Sequence, residues 1–158
     1  MRCLFLCLLF AFVFLRPIHP ARAISQPQPP TLHPLHIPLG LPTALPIPQN
    51  NPLTPEKIDL GRRLFFDRRL SPNDTMSCAM CHIPAQGFTA NEARLAVGIN
   101  GKTGKRNAPA LYNVAYQRLL FHDGREFTLE DQIISPMTNL VEMGNPSIGY
   151  VVNKIKQL

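Results

Sequence analysis

The 158-residue sequence contains no tryptophan, and its only cysteines are Cys3, Cys7, Cys78 and Cys81. A structural zinc site takes about four protein ligands, and no second cysteine pair exists outside the N-terminal tract to complete one. Strand patterning is poor throughout, which points to a mainly α fold and away from the βαβ setting of a thioredoxin-like redox pair. No basic block marks a nucleic-acid footprint. The one long apolar run, Cys3 to Leu15, falls short of the roughly 20 residues that span a bilayer.

That run has a different meaning. Arg2 precedes it, and Ala21-Arg22-Ala23 supplies small residues at a cleavage position, so residues 1–23 read as a secretory signal peptide. Cys7 lacks the small preceding residue of a lipoprotein signal, so no membrane anchor is expected after cleavage. Cleavage after Ala23 leaves 135 residues, enough for one domain. Loss of Arg2, Arg16 and Arg22 leaves 13 basic against 10 acidic residues, a net of +3, a modest charge suited to a solvated surface.

Residues 24–53 are dominated by proline, with Pro30, Pro34, Pro38, Pro42 and Pro46 at a four-residue step. Such density excludes helix interiors and favours polyproline II. The interspersed Leu32, Leu35, Ile37, Leu39, Leu41, Leu45 and Ile47 predict an extended arm laid on the domain or on a partner. His33 and His36 read as bystanders within it. Thr54-Pro55-Glu56 then gives a helix start, with an N-cap, proline in the first turn and an early acid. Ile58, Leu64 and Phe65 make its apolar stripe, with Arg62, Arg63, Arg68 and Arg69 around it as solvated charges or propionate partners.

The centre of the chain is Cys78-Ala79-Met80-Cys81-His82, the attachment signature of a c-type haem. Each thiol adds to one porphyrin vinyl group, and the adjacent imidazole binds iron from the proximal side. A plain disulfide leaves His82 unexplained. Downstream, residues 85–106 are glycine-rich loop, Ala110–Leu120 is a helix candidate, and Phe121–Arg125 is a turn. Thr128 caps a short helix that Pro136 stops. Asn145-Pro146 opens a last helix with Ile148, Val151, Val152, Ile155 and Leu158 on its apolar face. That periodicity still runs at residue 158, so the chain reads as truncated there.

Leu60-Gly61-Arg62-Arg63-Leu64-Phe65-Phe66-Asp67, Leu70-Ser71, Ser77 through His82, Arg106-Asn107-Ala108-Pro109, Asp123-Gly124-Arg125, Leu129-Glu130-Asp131-Gln132 and Val141-Glu142-Met143 together resemble the N-terminal half of bacterial di-haem cytochrome c peroxidases. Haem enzymes that oxidise tryptophan side chains during cofactor maturation share the framework. The resemblance implies a cytochrome c-like haem domain over residues 54–158, with long loops and one covalent haem c held by Cys78, Cys81 and proximal His82. It implies Glu142 as the catalytic acid–base group and Gln132 as its pocket partner. Arg106 and Arg125 become cofactor-binding candidates, although Arg125 equally ties its own turn. Asn107 becomes a calcium-ligand candidate whose co-ligands lie in a second domain.

The sequence departs from the family pattern in three places. There is no second haem motif. Ile99 stands where many members carry a resting-state distal histidine, which implies open, five-coordinate iron. His122 replaces a tryptophan between the haems. The leading reading is a periplasmic haem peroxidase that reduces hydrogen peroxide with electrons from a small cytochrome c or cupredoxin, a homodimer being open. Three alternatives stand beside it: a mono-haem electron carrier with Met137 or Met143 as sixth ligand, a protein-oxidising maturation enzyme, and a non-catalytic haem-binding fragment.

Overall fold

The computed structural model describes residues 31–158; the expected signal peptide and the first part of the expected arm lie outside that range. All named elements among the described residues are helical, accompanied by three isolated β-bridges. The α-helices are α1 (Pro55–Phe66), α2 (Leu129–Gln132), α3 (Ile134–Thr138) and α4 (Ile148–Ile155), with five short 3-10 turns between α1 and α2. None is long and apolar enough to cross a membrane.

Helix α1 begins as its cap dictates, the Thr54 hydroxyl accepting from the Lys57 amide at 3.3 Å, with Pro55 in the first turn where no donor is needed. Its inner stripe is narrow. Leu64 packs on the core and Phe65 meets Phe88 edge-on at 6.1 Å, whereas Ile58 and Leu60 stay exposed. Three of its arginine candidates are spent locally, Arg62 and Arg63 on Asp59 and Arg69 on Asp67. Arg68 donates to the Thr75 carbonyl.

Three sequence expectations are corrected. Ala110–Leu120 is not a helix but holds only the 3-10 turn Val114–Tyr116, preceded by left-handed Asn113 at φ 55°. Asparagine tolerates that conformation, and helix interiors do not. Pro136 does not stop a helix; it sits in the first turn of α3, where its missing N–H leaves no bond unmade. Helix α4 starts at Ser147, whose hydroxyl accepts from the Tyr150 amide. Asn145, the expected opening, is buried and donates instead to the carbonyls of Leu70 and Met137.

The main core cluster is Leu70, Met137, Met143 and Val151, with Leu64, Cys78 and Ile155 packed against it. It joins the 3-10 turn before the haem motif to α3 and α4. Lys154 reinforces the junction by donating to the Ser71 carbonyl and the Asp74 carboxylate at 2.7 and 2.8 Å. Residues 31–53 carry no helix or strand. They cross the domain through Tyr116, whose hydroxyl donates to the Pro42 carbonyl at 2.9 Å, and through Asn51, whose amide donates to Glu130.

Candidate haem and acid–base site

Ser77 leads into a 3-10 turn over Cys78–Met80, and the Cys81 and His82 amides both donate back to the Cys78 carbonyl. This tight turn presents two thiols and the imidazole from one short span. Both cysteines are free and half-buried. Burial pushes both thiols up, and the Glu142 carboxylate pushes Cys81 further, so both remain protonated at neutral pH.

His82 is already oriented. Its Nδ1 lies 2.9 Å from the Phe88 carbonyl oxygen. A carbonyl only accepts, so Nδ1 carries the proton and Nε2 keeps its lone pair free for a metal. The carbonyl is aimed by an unusual backbone: Phe88 is left-handed at φ 57°, directly after left-handed Gly87. The Phe88 amide donates back to the Ile83 carbonyl, and Ile83 forms a bridge with Thr89.

These residues fit a covalent haem. The thiols are unpaired, the histidine presents the ligating nitrogen, and the neighbouring Met80 and Val97 expose apolar surface, 41% and 50%, that a porphyrin would cover. A cavity of about 180 Å³ opens beside Cys81 among Met80, Ile83, Ala90, Ala96 and Val97.

Glu142 sits in the turn between α3 and α4. Its Oε1 accepts from the Asn139 side-chain amide at 3.0 Å, and its backbone carbonyl accepts from the Ile99 amide at 2.8 Å. Burial pushes the carboxyl above its ordinary value, while the charge of Arg125 pulls it back, and the His82 ring lies within the same field. Cys81, His82, Arg125 and Glu142 are therefore one electrostatic neighbourhood. Gln132 is half-buried at the end of α2; the hydrogen-bond partner of Glu142 is Asn139 instead. Ile99 is buried with its Cγ2 3.0 Å from where a Cβ on Gly144 would stand.

Arg125 donates to both Asp123 carboxylate oxygens and stacks 3.5 Å above the Phe121 ring centroid. It thus ties its own turn and still acts on Glu142. Arg106 is exposed, and its carbonyl accepts from the Ala96 amide. Asn107 donates to the Ala90 carbonyl and accepts from the Ala108 amide, a turn role that leaves one Oδ1 lone pair. The His122 ring lies 3.3 Å from the Asn107 carbonyl. Met137 and Met143 are both core side chains, packed with Leu70 and Val151.

The sequence reading passed over Asn139 and Gly98. A Cβ at Gly98 would stand 1.9 Å from the Val141 carbonyl oxygen and 2.8 Å from the Glu142 Cα, so only glycine permits the Glu142 turn to close on this loop. The signal for Asn139 was its place three residues before the acid at a helix end, where asparagine side chains close turns.

Comparison with known proteins follows the same lines. Residues 55–158 match the family model described as di-haem cytochrome c peroxidase. The methylamine utilization protein MauG of Methylorubrum extorquens is 43% identical over 115 residues, covering 73% of this chain and 32% of that protein. Cytochrome c peroxidase Ccp of Escherichia coli K12 is 37% identical over 112 residues, covering 71% and 24%. A crystal structure of a MauG-like protein associated with microbial copper homeostasis superposes with a TM-score of 0.64 at 32% identity, covering 78% of this chain and 37% of the other. The chain spans about a third or less of the length of these curated relatives.

Proposed function

Because this chain belongs to the di-haem cytochrome c peroxidase family, we propose that residues 54–158 are a peroxide-reducing c-haem domain, exported to the periplasm and supplied with electrons by a small cytochrome c or cupredoxin. The observation that carries the reading is Glu142. A half-buried carboxyl, held up in pKa, shares an electrostatic neighbourhood with the His82 imidazole and Cys81 thiol of the attachment motif.

When bound, the haem supplies the metal that takes the peroxide oxygen and the redox equivalents for its reduction. Cys78 and Cys81 would hold it by thioether bonds, and His82 would donate Nε2, its ring fixed by the Phe88 carbonyl. Glu142 takes a proton from one peroxide oxygen and returns it to the leaving oxygen, a task that needs a carboxyl able to exist in both forms near the working pH. Desolvation raises Glu142 toward that range, and Arg125 limits the rise. Gln132 would line the peroxide pocket, and Arg106 would meet a haem propionate at the surface. Asn107 would give one oxygen to a calcium ion, which takes six to eight, the others coming from a second domain. Self-association as a homodimer belongs to the same proposal.

The electron-carrier alternative draws less support. It needs a methionine thioether for iron, and Met137 and Met143 both fill the core.

The test is the haem-loaded protein with Glu142 replaced by Gln. The variant should attach haem and keep the ferric spectrum, while its reaction with hydrogen peroxide slows by about 10²–10⁴-fold. An unchanged rate would remove Glu142 from the mechanism. A low-spin spectrum with a Met-to-iron charge-transfer band in the parent protein would favour the carrier.

A further inference from the structure

The turn that carries Glu142 is built almost wholly by one residue. Asn139 follows α3, and its own amide donates to the Ser135 carbonyl at 2.9 Å. Its carbonyl accepts from the Glu142 amide at 3.1 Å and the Gly144 amide at 2.9 Å. Its side-chain Oδ1 accepts from the Val141 amide at 2.9 Å, and its side-chain Nδ2 donates to Glu142 Oε1 at 3.0 Å. Every polar group of Asn139 is thereby engaged.

The two ends of the side chain do different work. Oδ1 closes the turn, a task aspartate performs equally well. Nδ2 grips the carboxylate, which aspartate cannot do. The choice of asparagine over aspartate is therefore a statement about Glu142 and not about the turn. We propose that Asn139 is the positioning residue of this site, its Nδ2 holding the Glu142 carboxyl in the orientation and protonation balance that proton transfer to and from peroxide requires.

The proposal rests on the acid–base reading of Glu142. A hydrogen bond donated to a carboxylate favours its ionised form, so Asn139 works against burial. The other charge acting on Glu142 is Arg125 from the Phe121–Arg125 turn, and the titratable groups that share its neighbourhood are His82 and Cys81 from the attachment motif. Lys102 of the facing loop is held nearby, donating to the Leu140 carbonyl at 3.1 Å. None of these donates a hydrogen bond to the Glu142 oxygens; Asn139 does.

The experiment uses haem-loaded protein with Asn139→Asp, Asn139→Ala and Glu142→Gln. It reads the pH profile of the peroxide reaction and, separately, the titration of the Glu142 carboxyl by isotope-edited infrared spectroscopy. Asn139→Asp keeps the turn acceptor but sets a second carboxylate against Glu142. It should fold, with a melting temperature that matches the parent in acid and falls below it at neutral pH, and move the Glu142 midpoint upward by about one pH unit or more. Asn139→Ala should raise the midpoint and lower the melting temperature as well. An Asn139→Asp protein with the parental midpoint overturns the proposal. So does one that fails to fold, since the acceptor that closes the turn is retained. If Glu142→Gln keeps full peroxide reactivity, the acid–base reading falls, while the infrared midpoint still reports whether Asn139 holds the carboxyl.

Discussion

Gly98 and Glu142 meet backbone to backbone, and that contact makes a demand at a single position. The Gly98 φ of −106° is ordinary for any residue; what excludes a side chain is space, with the Val141 carbonyl in its way. Gly98→Ala should therefore cost about 3 kcal/mol of stability, at the upper end for overpacking, and should depress peroxide reactivity by displacing the Glu142 turn. Chemical denaturation and single-turnover kinetics read the two effects. Glu142 makes a second prediction, in pH. Its carboxyl is raised on folding, so the folded state binds a proton more tightly than the unfolded one. Any stability from that difference is present below the ordinary carboxyl value and is lost as pH rises through the folded value. Glu142→Gln should consequently stabilise the protein at neutral pH, and the gain should vanish in acid, as followed by thermal melts from pH 4 to pH 8. Cys78, Cys81 and Glu142 stand out in the sequence because each sits in a spaced motif. Gly98 does not: it stands in a loop with Gly87, Gly101 and Gly104, and nothing local says which glycine lies beneath another backbone.

Helix α4 closes the core through Val151, which is fully buried beside Leu70 and Met137. Val151→Ala leaves a cavity there and should cost roughly 2 kcal/mol, read as a lower urea midpoint. Periodicity identified the helix, yet only Val151 and Ile155 face inward, while Ile148 and Val152 stay exposed. Sequence period reports which residues share a face, not how wide a neighbour waits for it. The 110–120 segment failed for the opposite reason. Its composition suits a helix, but Asn113 turns left-handed and Tyr116 is committed to Pro42 of the arm, a contact 74 residues away that no local rule anticipates. Tyr116→Phe should change global stability by under about 1.5 kcal/mol and speed deuterium exchange of the hydrogen-bonded Leu41 and Ile47 amides.

Across the described residues as a whole, the buried apolar side chains are few, among them Leu70, Met76, Ile99, Leu120, Met137, Met143 and Val151. Large apolar side chains such as Leu119, Phe127, Leu140 and Tyr112 remain exposed. A covalent haem would add buried apolar surface to a core this thin. Replacing Cys78 and Cys81 by Ser should yield a chain that binds the dye ANS and loses near-ultraviolet dichroism, whereas the haem-loaded protein melts in one cooperative step. The grip of Lys154 on Ser71 and Asp74, with Val151 seated beside Cys78, also sets an order in time. Chains emerge N-terminus first, so Cys78 leaves the ribosome some 70 residues ahead of the helix packed beside it. Cys78 is open to haem attachment during that interval, and the arrival of residues 148–155 narrows its access.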